Sequence, residues 1–104
     1  MDMALDVQKV DTETAYRIKE LGMLELTPEA KEVLDRNPEI ELLDIFRLYA
    51  NGAYGDVSDP GANDVALYTK TGVCEGRYQL PNGEHILVTT RFNCVVTKLT
   101  REGE

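Results

Sequence analysis

Asp56, Ser58, Asp59, Asn63 and Asp64 fall in one short stretch of the chain. So many oxygen-bearing side chains close together are the ligand chemistry of a hard cation such as calcium. The spacing does not fit: a calcium loop puts ligands at alternate positions around a central glycine and closes on a glutamate. Asp59 also precedes Pro60, which suits it to cap a helix. No metal site and no cofactor is therefore expected. The other candidate chemistry is a nucleophile beside a base. His85 is the only histidine, and Cys74 and Cys94 are the only cysteines. His85 with Cys94, or with a carboxylate, is the conceivable pair, yet no oxyanion-type glycine turn lies near His85 in sequence, and it reads as an exposed strand residue. With one histidine and no Cys-x-x-Cys there are too few soft ligands for structural zinc. Tyr54 stands beside Gly55 in a glycine-rich connector, a frequent setting for binding aromatics; its plainer role is to plug the end of a core. Gly55 and Gly61 make no phosphate cradle, because no lysine follows at the required place. No catalytic residue is assigned. The binding candidates are Tyr54, Asp56, Asp59, Asn63 and Asp64.

The elements that must position them divide at this connector, helices before it and strands after it. Residues 1–20 read as an arm or a short helix that Asp11 would cap, with an alternating strand over Thr14, Tyr16 and Ile18 as the competing pattern. Gly22–Leu26 alternates weakly as a short strand. Thr27-Pro28 starts a helix running to about Arg36, and Asn37-Pro38 repeats the device for a second helix over Glu39 to about Ala50. Leu42, Leu43, Ile45, Phe46 and Tyr49 make that second helix the most amphipathic and the centre of the core. Asp59-Pro60 starts a third helix ending near Lys70.

Val73–Leu80, Glu84–Thr90 and Cys94–Leu99 read as an antiparallel meander. A three-residue loop with Gly83 left-handed pairs Tyr78 with Ile86, and a two-residue turn at Phe92-Asn93 follows. One face then collects Cys74, Tyr78, Leu80, Ile86, Val88, Val95 and Leu99, which is apolar enough to pack on helices. Cys74 and Cys94 would lie two strands, about 10 Å, apart on opposite faces, too far for a disulfide. The expected fold is a two-layer α+β domain over residues 21–100, with a tail at 101–104. Its three- or four-stranded antiparallel sheet carries two or three helices on one face.

Composition narrows the function class. Hydrophobic residues at 42% and charged residues at 29% are ordinary for a soluble globular domain. The net charge of −8 is uneven: residues 1–64 hold 15 acidic and 6 basic side chains, residues 65–104 only 4 and 5. An acidic half repels phosphate backbones, so direct nucleic-acid binding is not expected, whereas a basic protein surface is a fitting partner. No apolar run reaches the roughly 20 residues of a membrane span. The acidic start Met-Asp-Met-Ala-Leu-Asp is unlike a secretory signal, so a cytoplasmic location is expected.

Four pieces occur in order: Leu-Gly-x-x-x-x-Thr-Pro-x-Ala (Leu21–Ala30), Gly-Ala-Tyr-Gly-Asp (Gly52–Asp56), Ala-Asn-Asp-x-Ala-Leu (Ala62–Leu67) and Tyr-x-Leu-Pro-Asn-Gly (Tyr78–Gly83). A strand pair ending in Val-Val-Thr-Lys-Leu follows. Together they resemble a family of small uncharacterised proteins of plasmids, phages and other mobile elements. Its members usually read Gly-Asp-Trp-Gly-Asp at the connector. Here Ala53 replaces the acid and Tyr54 the tryptophan, and Arg91-Phe92-Asn93 departs from the acid and arginine usual near the last turn. The resemblance implies no reaction. It implies a non-enzymatic accessory protein that binds a host or phage protein, for example to inhibit or modulate a host defence system. The alternatives are a small ligand-binding module or enzyme using Gly52–Asp64, with a concave pocket beside Tyr54, and a homo-oligomer.

Overall fold

The computed structural model describes residues 11–104, so the reading of residues 1–10 lies outside the described part. The elements are α1 (Thr12–Glu20), β1 (Met23–Leu26), α2 (Pro28–Asp35), α3 (Leu42–Ala50), α4 (Pro60–Thr69), β2 (Val73–Gln79), β3 (His85–Arg91) and β4 (Val96–Arg101). The class is α+β, with the sheet ordered β1-β4-β3-β2. Residues 12–20 take the helical reading: Asp11 Oδ1 accepts the Thr14 N–H at 2.8 Å, and Ile18 and Leu21 are buried in the common core.

Thr27 caps α2 as expected, accepting the Ala30 N–H at 3.1 Å. Asn37-Pro38 does not start the next helix. It forms a turn closed by Ile40 N–H to Asn37 O at 3.0 Å, and α3 begins only at Leu42. The Asn37 side chain is needed elsewhere. Fully buried, it donates to Val33 O at 2.8 Å and accepts the Asn82 N–H at 3.0 Å. It thereby ties the end of α2 to the β2–β3 hairpin.

The β2–β3 register is the expected one, with Tyr78 opposite Ile86 and Gly83 left-handed at φ +92°. Two expectations about the sheet need correction. First, it is mixed, since β1 pairs with β4 in parallel. Gly22 brings the chain in beside the start of β4, where the Met23 N–H donates to Val95 O at 3.0 Å, so the two strands begin together and run the same way. Secondly, the last turn is Phe92–Val95, two residues longer than expected, because Arg91 pairs with Val96. A slip by two residues leaves every strand side chain on its own face. Cys74, Tyr78, Leu80, Ile86, Val88 and Leu99 are accordingly buried. Val95 alone leaves the core, while Phe92 enters it with Lys70 Nζ 5.7 Å from its ring centre. Cys74 is buried and Cys94 exposed, and both thiols are free.

A chain of hydroxyls crosses the core. Tyr49 Oη donates to Cys74 O at 3.0 Å and contacts Thr90 Oγ1 at 2.8 Å. Thr90 Oγ1 lies 2.7 Å from Thr97 Oγ1, which donates to Leu21 O at 2.8 Å. Each hydroxyl has one proton to donate, so the Tyr49 and Thr97 protons are committed to carbonyls and Thr90 supplies both middle contacts in turn. Thr97→Val strands the Leu21 carbonyl and is expected to cost about 1–2 kcal/mol, whereas Tyr49→Phe leaves Cys74 O its ladder partner on Thr90 and Thr90→Val strands no carbonyl, so each of these should cost less than about 1 kcal/mol. Urea denaturation of the three variants measures the order.

At the hairpin corner, Arg36 Nε and Nη2 bond Glu84 at 2.9 and 2.7 Å. That guanidinium, helped by the Asn82 amide, draws the Glu84 carboxyl down to about 2 from its ordinary 4.5. A depressed folded-state value stabilises the fold above pH 4.5, and the contribution fades as pH falls towards 2. The melting-temperature gap between wild type and Glu84→Gln should therefore be constant near neutrality and close on acidification through that window.

Candidate functional site

β2 lies at one edge of the sheet and would present unpaired backbone groups to solvent. The connector closes that edge at two points. Gly55 bridges Arg77: the Arg77 N–H donates to Tyr54 O at 2.9 Å, and the Asp56 N–H to Arg77 O at 2.8 Å. One repeat along, Asn63 of α4 substitutes for a neighbouring strand. Its Nδ2 donates to Glu75 O at 2.6 Å and its Oδ1 accepts the Glu75 N–H at 3.0 Å. Gly55 is required at the crossing. Its φ is +74°, and a Cβ there would stand 2.1 Å from Arg77 O.

The connector itself is braced at three further residues, Gly52, Tyr54 and Asp59. Gly52, at φ +85°, ends α3 with its N–H on Tyr49 O and the Ala53 N–H on Leu48 O, at 3.2 and 2.9 Å, the paired pattern of a left-handed helix stop. Tyr54 is buried, meets Tyr49 edge-to-face at 6.0 Å, and donates to Asp64 Oδ1 at 2.8 Å. Burial, reinforced by that carboxylate, raises the Tyr54 phenol above its ordinary value. Asp59 Oδ1 caps α4 through the Ala62 N–H at 3.0 Å.

The covered edge borders the face of the sheet turned away from the core. Along β2 the exposed or half-buried Val73, Glu75 and Arg77 alternate with the buried Cys74, Gly76 and Tyr78. Between this face and the connector runs a groove of ≈ 450 Å³, with Asp56, Val57, Ser58 and Asp59 on one side and Val73, Glu75, Arg77, Leu87 and Thr89 on the other. Arg77 is bonded to Glu102 by Nε and Nη2 at 2.7 and 3.0 Å, which raises the guanidinium and lowers the carboxyl. Thr89 also lines a second depression, with Arg91, Lys98 and Glu25.

The five candidates thus separate. Asp56, Asp59 and Asn63 line the groove. Tyr54 takes its core-plugging role, and Asp64 lies beside it holding the phenol. Val73, Glu75, Arg77, Leu87 and Thr89 went unselected as site residues, although period-two alternation along β2 and β3 in the expected register already puts them together on the face opposite Cys74 and Ile86. His85 and Cys94 do not meet: β3 separates them by about 20 Å at its rise per residue, and His85 Nδ1 lies 3.4 Å from Glu102 instead. Among the described residues no group of three or more His, Cys, Asp or Glu is placed to hold a metal ion, and no helix is long and apolar enough to cross a membrane. No protein-family model, curated protein or solved structure matches the chain.

Proposed function

We propose that this is a non-catalytic accessory protein that works by binding another protein, with the groove beside the connector as its contact surface. One observation carries the reading. The helices bury one face of the sheet, while the other stays open and is walled by the connector into an acidic groove. The resemblance to mobile-element proteins adds the setting: a protein of the host, such as a defence component, whose activity is inhibited or modulated, in the cytoplasm. A small-molecule site would use the same groove, but Tyr54, the aromatic that such a site needs beside it, does not line it.

Charge reversal tests the proposal only at residues the fold does not use. Asp59 and Asp64 accept structural hydrogen bonds, so Asp56→Lys and Glu75→Lys are the informative pair. Immobilised wild-type protein should retain a defined host protein from lysate, and the double variant should lose it at unchanged melting temperature. Equal retention of that protein by both would remove the groove as the contact surface.

A further inference from the structure

We infer that the groove receives a lysine or arginine side chain from an extended segment of the partner protein. This rests on the protein-binding reading above and adds the chemistry of the occupant. The floor is apolar, from Val57, Val73 and Leu87, and Asp56, Asp59 and Glu75 stand around it. No ion pair of the described fold neutralises these acids, although the Asp56 charge does act on the Arg77 guanidinium. Arg17, Lys31, Arg36, Arg47, Lys70 and Arg77 each pair with a carboxylate elsewhere in the described fold. Arg77, the cation of the groove, is held from two nitrogens by Glu102. The Asp56 and Glu75 carboxylates make no ion pair among the described residues, and Asp59 spends one oxygen on its helix cap.

Three like charges around an apolar floor favour a cation, whose stem packs on the floor while its head meets the acids. The same charges oppose a phosphate or a carboxylate. The β2 edge is closed by Asn63 and Gly55, so the occupant cannot add as a further strand and must engage by side chain across the face.

The test is an amide chemical-shift titration of the intact protein with acetyl-Val-Arg-Val-amide and, separately, acetyl-Val-Glu-Val-amide. The arginine peptide should shift the Asp56, Gly76 and Leu87 amides saturably, and the glutamate peptide should leave Asp56 and Gly76 unmoved. The Asp56→Asn, Glu75→Gln double variant should weaken the arginine peptide about fivefold. The second depression, which holds Arg91 and Lys98, is an internal control and should not respond to the cation. No saturable shift with the arginine peptide, an equal response to both peptides, or undiminished affinity in the variant would overturn the inference. Groove shifts on dilution of the protein alone would overturn it in favour of a second copy of this chain. If the arginine peptide fails while charge reversal still abolishes host-protein retention, this inference falls and the protein-binding reading stands. If reversal leaves retention intact, the reading itself falls.

Discussion

Gly55→Ala is expected to lower the melting temperature by about 15 °C, corresponding to roughly 3 kcal/mol in a domain of this size. Two effects combine. A left-handed alanine costs about 1–2 kcal/mol. The new methyl would also lie 2.1 Å from Arg77 O and 2.9 Å from Arg77 C, which are backbone atoms of a paired strand and cannot rotate aside. Relief requires the connector to lift, breaking the hydrogen bonds that Tyr54 O and the Asp56 N–H make with Arg77, at about 0.5–1.5 kcal/mol each. Gly52→Ala isolates the first effect. Its φ is +85°, but the nearest atom to a Cβ there is Tyr54 Oη at 3.9 Å, so a loss of about 1 kcal/mol is expected. Thermal denaturation of the two variants, side by side, decides whether close approach to Arg77 matters or only backbone conformation.

Asn63→Leu should cost about 1–3 kcal/mol. The leucine has the same branched shape, but it removes the partner of both the N–H and the carbonyl of Glu75, and each lost hydrogen bond at this half-covered edge costs about 0.5–1.5 kcal/mol. Asn63→Asp separates the two halves. Its carboxylate still accepts the Glu75 N–H but faces the Glu75 carbonyl oxygen, now 2.6 Å from the asparagine nitrogen, with no proton between them. Protonation would restore the donor, so the aspartate variant is expected to recover stability relative to wild type as pH falls through the carboxylate range. Denaturant titrations at pH 7 and pH 4 read this directly; an aspartate variant that loses equally at both would argue against the clamp.

Much of this arrangement was legible in the chain. Proline after Thr27 and after Asp59 marks two helix starts correctly, because a residue without an N–H is best placed where none is needed. The same device misleads at Asn37-Pro38, since nothing local shows that the Asn37 amide is claimed by Val33 O and the Asn82 N–H. Alternation places the apolar face of the sheet correctly even though the last hairpin is two residues longer than expected, because parity survives an even slip. The length of that turn depends on Phe92 reaching the core, a tertiary fact. The parallel pairing of β1 depends on where Val95 meets Gly22, 73 positions earlier in the chain. The composition of the connector suggests a contact loop. Most of that composition, namely Gly52, Tyr54, Gly55, Asp59, Asn63 and Asp64, is instead spent on stopping a helix, plugging a core, crossing a strand, capping a helix and closing an edge. What the fold leaves unused beside the groove is the Asp56 side chain, joined by Glu75 and the apolar residues next to it.

Amide hydrogen exchange at Glu75 and Arg77 is the most direct measurement of whether the connector seals the β2 edge. Their N–H groups point away from β3, to Asn63 Oδ1 and Tyr54 O, whereas the neighbouring Gly76 N–H points into the sheet by the alternation of an antiparallel pair. If the edge is sealed, all three exchange on a similar slow timescale, and Asn63→Leu frees Glu75 first. Fast exchange at Glu75 and Arg77 beside a protected Gly76 would show an open edge, and the connector would then be the free loop that its composition suggests.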